Sequence, residues 1–266
     1  QLHRRQRQMC IRDSNIRSND IEYTPIFLSQ AIIHKTGKCY IFSDCKNNLK
    51  KQLKIDVSFK KQKDIYPFIK KCGINKSFIC DINTINFNLA NAIKSYGTLK
   101  LQGDVIQLLK SKKNKTEQNG MLNSHKRDGA SLTKFIFWIK NQVQNKNITE
   151  MDAIKYLDNL RKSNKNFFSL SFPTIAGTGS NGAIVHYRAN KLTNKKIRKS
   201  DLFLVDSGAQ YFDGTTDVTR TISFNKPRKD QIDMYTRVLK GHIAVARSKF
   251  KYGEKGKKLD LSLIHI

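Results

Sequence analysis

The chain has 266 residues, and 50 Lys and Arg against 21 Asp and Glu give it a formal net charge of +29 at pH 7. That length suits one large or two moderate domains, each able to bury a substantial core, and 38% hydrophobic residues with only 4 prolines argue against a disordered or fibrous chain. No apolar run approaches the roughly 20 residues that a membrane-spanning helix needs, which excludes a helical span.

The charge is spread evenly: residues 1–115 carry 23 basic and 8 acidic groups, and residues 116–266 carry 27 and 13. Lysines outnumber arginines 37 to 13, and there are 22 asparagines. Lys and Asn are both read from A/T-rich codons, so a biased genome explains the composition without a polyanion partner. Arg, the residue suited to bidentate contacts with phosphate and guanine, is the scarcer one, and no specific nucleic-acid partner is expected. The five cysteines, Cys10, Cys39, Cys45, Cys72 and Cys80, form no C-x-x-C, and Cys39 and Cys45 lack the second pair that zinc spacing requires. Free thiols in a reducing cytoplasm are the default.

The N-terminus is basic with no apolar stretch after it, so it is no secretory signal. Residues 1–14 and 261–266 read as a non-native leader and tail and are set aside from the fold. From Tyr23 onward, Ala31–His34 and Cys39–Phe42 flank Lys35-Thr36-Gly37-Lys38 as a hairpin. Ile65 to Lys71 reads as a short helix ended by Gly73, Ser77–Asp81 as a buried strand, and Asn86 to Tyr96 as a second helix before Gly97. Strand–helix alternation predicts an α/β domain over 15–112 with a largely parallel sheet and no residues grouped for chemistry.

The polar run 110–118 marks a boundary, and a second domain is expected over 113–260. A long helix follows, with Leu122, His125, Gly129, Leu132, Ile136, Ile139 and Val143 on one stripe, flanked by Phe135 and Trp138. His125 on that stripe is expected to be a core residue. A second helix starts at Thr149, with Glu150 and Asp152 in its first turn, and buries Ile154, Leu157 and Leu160. From Phe167 the pattern is β. Gly177, Gly179 and Gly182 loosen a loop before Ala183-Ile184-Val185-His186-Tyr187, Leu202–Asp206 is a buried strand, Asp213-Gly214 a turn, and Asp217–Phe224 the next strand. Pro227 opens a last amphipathic helix carrying Ile232, Tyr235, Leu239 and His242. The order is α+β.

Asp206 ends an apolar strand and Asp217 stands eleven residues on, across a hairpin-type turn. Folding that connection back puts two carboxylates on neighbouring strands. Like charges that close disfavour one another, and a bound hard cation such as Mn²⁺ or Mg²⁺ relieves them. The plain alternative is two strand-end aspartates capping turns, and spacing alone leaves both open. His186 could shuttle a proton beside such a site or pack within a strand. Gly177–Gly182 lacks the Gly-Lys-Ser/Thr ending of a P-loop, and neither Ser180 nor Ser207 sits in a Gly-x-Ser-x-Gly frame.

Ser171-Phe172-Pro173-Thr174-Ile175, Asn181–Tyr187 and the run from Val205-Asp206-Ser207-Gly208 through Asp213-Gly214-Thr215-Thr216-Asp217 to Thr221 resemble aminopeptidase P, of the pita-bread metallopeptidases. The stretch before residue 110 resembles the middle domain of its three-domain form. The fold class so implied is an α/β middle domain followed by a partial α+β pita-bread (creatinase/aminopeptidase) catalytic domain. The resemblance implies that Asp206 binds one metal and Asp217 bridges two divalent ions, usually Mn²⁺, whose shared hydroxide attacks the Xaa-Pro bond of a peptide with proline second. His186 matches the catalytic histidine that steadies the tetrahedral intermediate or relays its proton. The family takes five ligands, and its remaining His and two Glu have no counterpart here. The chain alone is therefore expected to be inactive, as half of a cytoplasmic enzyme whose full form can be a homodimer. A catalytically inactive pita-bread-like binding module with a basic surface is the alternative.

Overall fold

A computed structural model describes residues 17–44, 57–251 and 253–257. The expectations for Cys10, Cys45 and the two terminal segments lie outside the described residues. The chain groups into two compact units, one of Gln1–Thr133, Leu157–Thr174 and Ser207–Val218, the other of Lys134–Tyr156, Ile175–Asp206 and Thr219–Ile266.

In the first unit β1 (Gln30–Ile33) pairs antiparallel with β2 (Cys39–Phe42), from Ile33 opposite Cys39 to Gln30 opposite Phe42. Gly37 closes the turn at a φ of +90°, as the sequence predicts. β3 (Val57–Lys60) runs parallel to β2. Next come α1 (Ile65–Cys72), β4 (Ser77–Asp81), α2 (Phe87–Tyr96) and β5 (Thr98–Gln102), with β4 and β5 parallel. The Gly73 N–H closes α1 on the Ile69 carbonyl at 2.7 Å, and the Asn86 side chain caps α2 by accepting from the Leu89 N–H at 2.8 Å. Phe42, Ile65, Ile69 and Ile93 form the core here, with Phe68, Phe78 and Leu99 against it. The expectation that β4 is buried is corrected. Phe78 and Cys80 pack on the core, but Ile79, on the opposite face by the two-residue period, is 64% exposed.

After α3 (Val105–Ser111), the long helix α4 spans Lys115–Asn145. The polar run 110–118 is thus largely helical. Asn114 and Glu117 form a reciprocal cap, each side chain accepting from the other's backbone N–H at 2.9 and 2.8 Å. The early part of the predicted stripe is also corrected. Ser124, Asp128, Ser131 and Leu132 are buried, while Leu122 and His125 are exposed. The inward face is chosen by a buried ion pair. Arg161 of α5 (Glu150–Lys162) donates to both oxygens of Asp128 at 2.7 and 2.8 Å, and the Tyr211 hydroxyl adds a third bond at 2.8 Å. β6 (Phe167–Leu170) pairs with the later strand β9 (Ala209–Tyr211), which pairs in turn with β10 (Gly214–Thr215).

In the second unit Phe135, Ile139 and Val143 of α4 are buried as predicted, and Trp138 stacks on Tyr156 with ring centres 3.8 Å apart. β7 (Ile175–Thr178) runs antiparallel to β8 (Leu202–Ser207), and β11 (Val218–Ser223) lies on the other side of β8. The last helix, α6 (Lys229–Arg247), forms as expected, but its apolar residues do not bury. Ile232, Tyr235 and Leu239 are all more than 40% exposed, His242 is exposed, and among the helix's described residues only Gly241 is buried.

Candidate functional site

Asp206 lies near the end of β8, whose side chains alternate between half-buried and buried, and it takes a half-buried position opposite Ile175 of β7. One carboxylate oxygen accepts from the Thr219 hydroxyl of β11 at 2.8 Å. The strand therefore fixes the backbone of Asp206, and a neighbouring strand's hydroxyl fixes its rotamer.

Asp217 immediately precedes β11, the sheet neighbour of β8, and is exposed. Its position is set one residue earlier. Thr216 is buried, its N–H donates to the Ala209 carbonyl at 2.9 Å, and its hydroxyl accepts from the Ala209 N–H at 3.0 Å. The Ser171 hydroxyl donates to the Thr216 carbonyl at 3.0 Å. Gly208 lets these strands close: a Cβ there would run into the Thr216 carbonyl and the Ser171 hydroxyl. Asp213, in the turn between β9 and β10, forms an ion pair with Arg127, whose guanidinium lies 5.3 Å from the Tyr211 ring centre. Burial, with Asp128 beside it, pushes the Tyr211 phenol well above its ordinary value.

His186 is not in a strand. After β7 the chain makes a 3-10 turn (Gly179–Ala183) and a second turn, and His186 sits exposed in the latter at a φ of +55°. The β reading of Ala183–Tyr187 fails because Gly179, at a φ of +54°, starts the 3-10 turn, and Gly177 leaves room for the returning backbone, where a Cβ would run into Asn181 and Gly182. The packed strand histidine is not what forms. Ile184 and Val185 beside it are exposed too, whereas Asn181 and Tyr187 at the ends of the segment are buried. Both reach the carboxylate of Glu150, the first residue of α5. The Asn181 amide donates to its two oxygens at 3.0 and 3.1 Å, and the Tyr187 hydroxyl donates at 2.8 Å. The backbone N–H groups of Thr178 and Lys195 add bonds at 2.8 and 3.1 Å. Burial and the adjacent carboxylate together raise the Tyr187 phenol above its ordinary value. In the sequence Glu150 reads only as a first-turn acid; nothing in its neighbours shows that its carboxylate turns inward.

Asp206 and Asp217 are oxygen donors of the kind that hard divalent cations take. Among the described residues no group of three or more His, Cys, Asp or Glu side chains is placed to hold an ion. The described donors match such a cation in kind and fall short of a complete two-ion site in number.

Residues 119–265, more than half of the chain, match metallopeptidase family M24. The chain belongs to this family. Residues 14–117 match the creatinase/prolidase N-terminal domain, so an M24 pita-bread domain follows a creatinase-type domain. Among M24 relatives, Xaa-Pro aminopeptidase 1 of Dictyostelium discoideum is 34% identical over 252 residues, 92% of this chain and 40% of that protein. A probable Xaa-Pro aminopeptidase P of Paracoccidioides brasiliensis is 37% identical over 264 residues, 92% of this chain and 42% of that protein. The chain thus spans about two-fifths of the length of these relatives. The crystal structure of X-prolyl aminopeptidase from Caenorhabditis elegans, described as a cytosolic enzyme with a di-nuclear active site, matches with a TM-score of 0.80 and 32% identity, over 91% of this chain and 41% of that one. No helix among the described residues is long and apolar enough to cross a membrane.

Proposed function

We propose that this chain is part of a metal-dependent Xaa-Pro aminopeptidase, which releases the first residue from peptides with proline in second place. The observation that carries this reading is its 34–37% identity, over 92% of the chain, to Xaa-Pro aminopeptidases of a slime mould and a fungus. Asp206 and Asp217 act as two of the carboxylate ligands of a pair of divalent ions, with Mn²⁺ as the working metal and the cytoplasm as the compartment. The ions, when bound, supply the activation of water that amide hydrolysis needs. This chain's own contribution is a braced Asp206 on β8, an Asp217 fixed through Thr216, and a His186 held out to receive or donate a proton at the carbonyl oxygen of the scissile bond. The test is release of the first residue from an Xaa-Pro peptide by the protein carrying this chain. Chelation is expected to abolish the release and Mn²⁺ to restore it. Equal release from a peptide without proline in second place, or release untouched by chelation, would overturn the reading.

A further inference from the structure

We infer that Glu150 is a positioning residue for His186: its buried carboxylate clamps both ends of the Asn181–Tyr187 segment, so that the imidazole is presented from a fixed backbone. This rests on His186 being the proton-handling residue of the reaction proposed above.

Glu150 is fully buried, and a carboxylate removed from water is tolerated only where donors surround it. Thr178, Asn181, Tyr187 and Lys195 supply those donors, and the first turn of α5 adds the favourable field of its free N–H groups. Capping α5 does not require it. That end is already closed by Thr149 and Asp152, with the Thr149 N–H donating to the Asp152 carboxylate at 3.0 Å and the Asp152 N–H to the Thr149 hydroxyl at 3.3 Å. What Glu150 holds is the segment after β7.

The geometry of that segment suits a clamp. Asn181 and Tyr187 are buried against Glu150 and bonded to each other, the amide donating to the phenol oxygen at 2.7 Å. The Thr193 carbonyl lies 3.2 and 3.0 Å from the same amide nitrogen and hydroxyl and shares their hydrogens with Glu150. Between them two successive turns close, from the Ile184 N–H to the Asn181 carbonyl and from the Tyr187 N–H to the Ile184 carbonyl, each at 3.2 Å. Ala183, Ile184, Val185 and His186 are left facing solvent. A histidine in the left-handed region persists only where its surroundings over-determine it, and pulling either end away would leave the buried carboxylate with fewer donors, only the Thr178 and Lys195 N–H groups and the other end remaining. The raised Tyr187 phenol keeps its proton and remains a donor to the carboxylate.

The test pairs hydrogen–deuterium exchange with a kinetic cycle on the protein carrying this chain. Glu150→Gln turns an amide nitrogen toward backbone and side-chain N–H donors; Tyr187→Phe removes a single hydroxyl and is the milder variant should the first fail to fold. Exchange across residues 179–195 is expected to accelerate in both, less in Tyr187→Phe, and to stay unchanged in β1 and β2. On an Xaa-Pro peptide Glu150→Gln is expected to lower kcat by about 100-fold, the scale of a misplaced catalytic group, with KM and bound metal unchanged. Added to His186→Ala it is expected to cause no further loss, because the two act through one group. Unchanged exchange in both variants would overturn the inference. So would a Glu150→Gln loss of the same size in the His186→Ala background, which is what a general structural role gives. If the unaltered protein releases nothing from any Xaa-Pro peptide, the proposed function fails instead, and exchange alone decides whether the clamp exists.

Discussion

Arg161 carries its charge into a place from which solvent is excluded, and two of its nitrogens spend that charge on Asp128. Removing one partner of a buried pair leaves the other charged and unanswered, which costs about 3–5 kcal/mol. Arg161→Met is expected to lower unfolding stability by that amount in denaturant titration, and a loss below about 1 kcal/mol would show that Tyr211 alone can satisfy Asp128. Asp158 is a milder case of the opposite sign. Burial raises its carboxyl above the ordinary value, outweighing the Thr174 hydroxyl that donates to it at 2.6 Å and the nearby Lys162 and Arg161. The folded state holds the proton more tightly than the unfolded chain. The stability from this carboxyl is fully present below the unfolded value near about pH 4 and is lost as pH rises through the raised folded value. Asp158→Asn is therefore expected to melt at or above the wild-type temperature at pH 7, with the advantage vanishing toward pH 4. An advantage that grows on acidification would contradict that sign. Neither residue was legible in the sequence, because a charge on an amphipathic helix reads as solvated unless its partner, 33 positions away for Arg161, is known.

At the scale of elements, the hairpin, α1, α2, α5 and β8 follow from local rules: a glycine turn, a closing Gly73, a capping Asn86, a Thr149 N-cap and an apolar run ending in Asp206. The misreadings came where tertiary contacts override period. α4 turns Asp128 inward in place of His125, and the segment through His186 bends around Glu150 although its apolar residues spell a strand. The strand that carries Asp206 and the strand order that makes β11 the neighbour of β8 were both legible, since an apolar strand, a turn and a second strand leave few ways to fold. The brace behind Asp217 was not, because it depends on Ser171, distant in sequence. Gly208→Ala tests it. A methyl group there overlaps the Thr216 carbonyl and Ser171, so about 1–3 kcal/mol of stability should be lost, read by thermal and denaturant unfolding. A variant as stable as the parent would mean that β9 and β10 yield without disturbing Thr216.

For the whole molecule, an even charge of +29 draws polyanions without specificity, and by itself it favours no binding role. The alternative of an inactive basic module gives Asp206, Asp217 and His186 no task. The proposed aminopeptidase reading gives each of them one, on a structure in which Asp206 accepts from Thr219, the exposed Asp217 follows a Thr216 bonded to Ser171, and the exposed His186 precedes a Tyr187 bonded to Glu150. The measurement that bears most directly on this reading is Mn²⁺-dependent release of the first residue from an Xaa-Pro peptide, compared between the protein carrying this chain and its Asp206→Asn form. We predict metal-dependent release by the first and a loss of about 100-fold or more in the second, at or beyond the upper end of what losing even a ligand's supporting partner costs. Equal release by both would contradict the assignment of Asp206 as a ligand and, with it, the reading of this chain as the carrier of a metallopeptidase site.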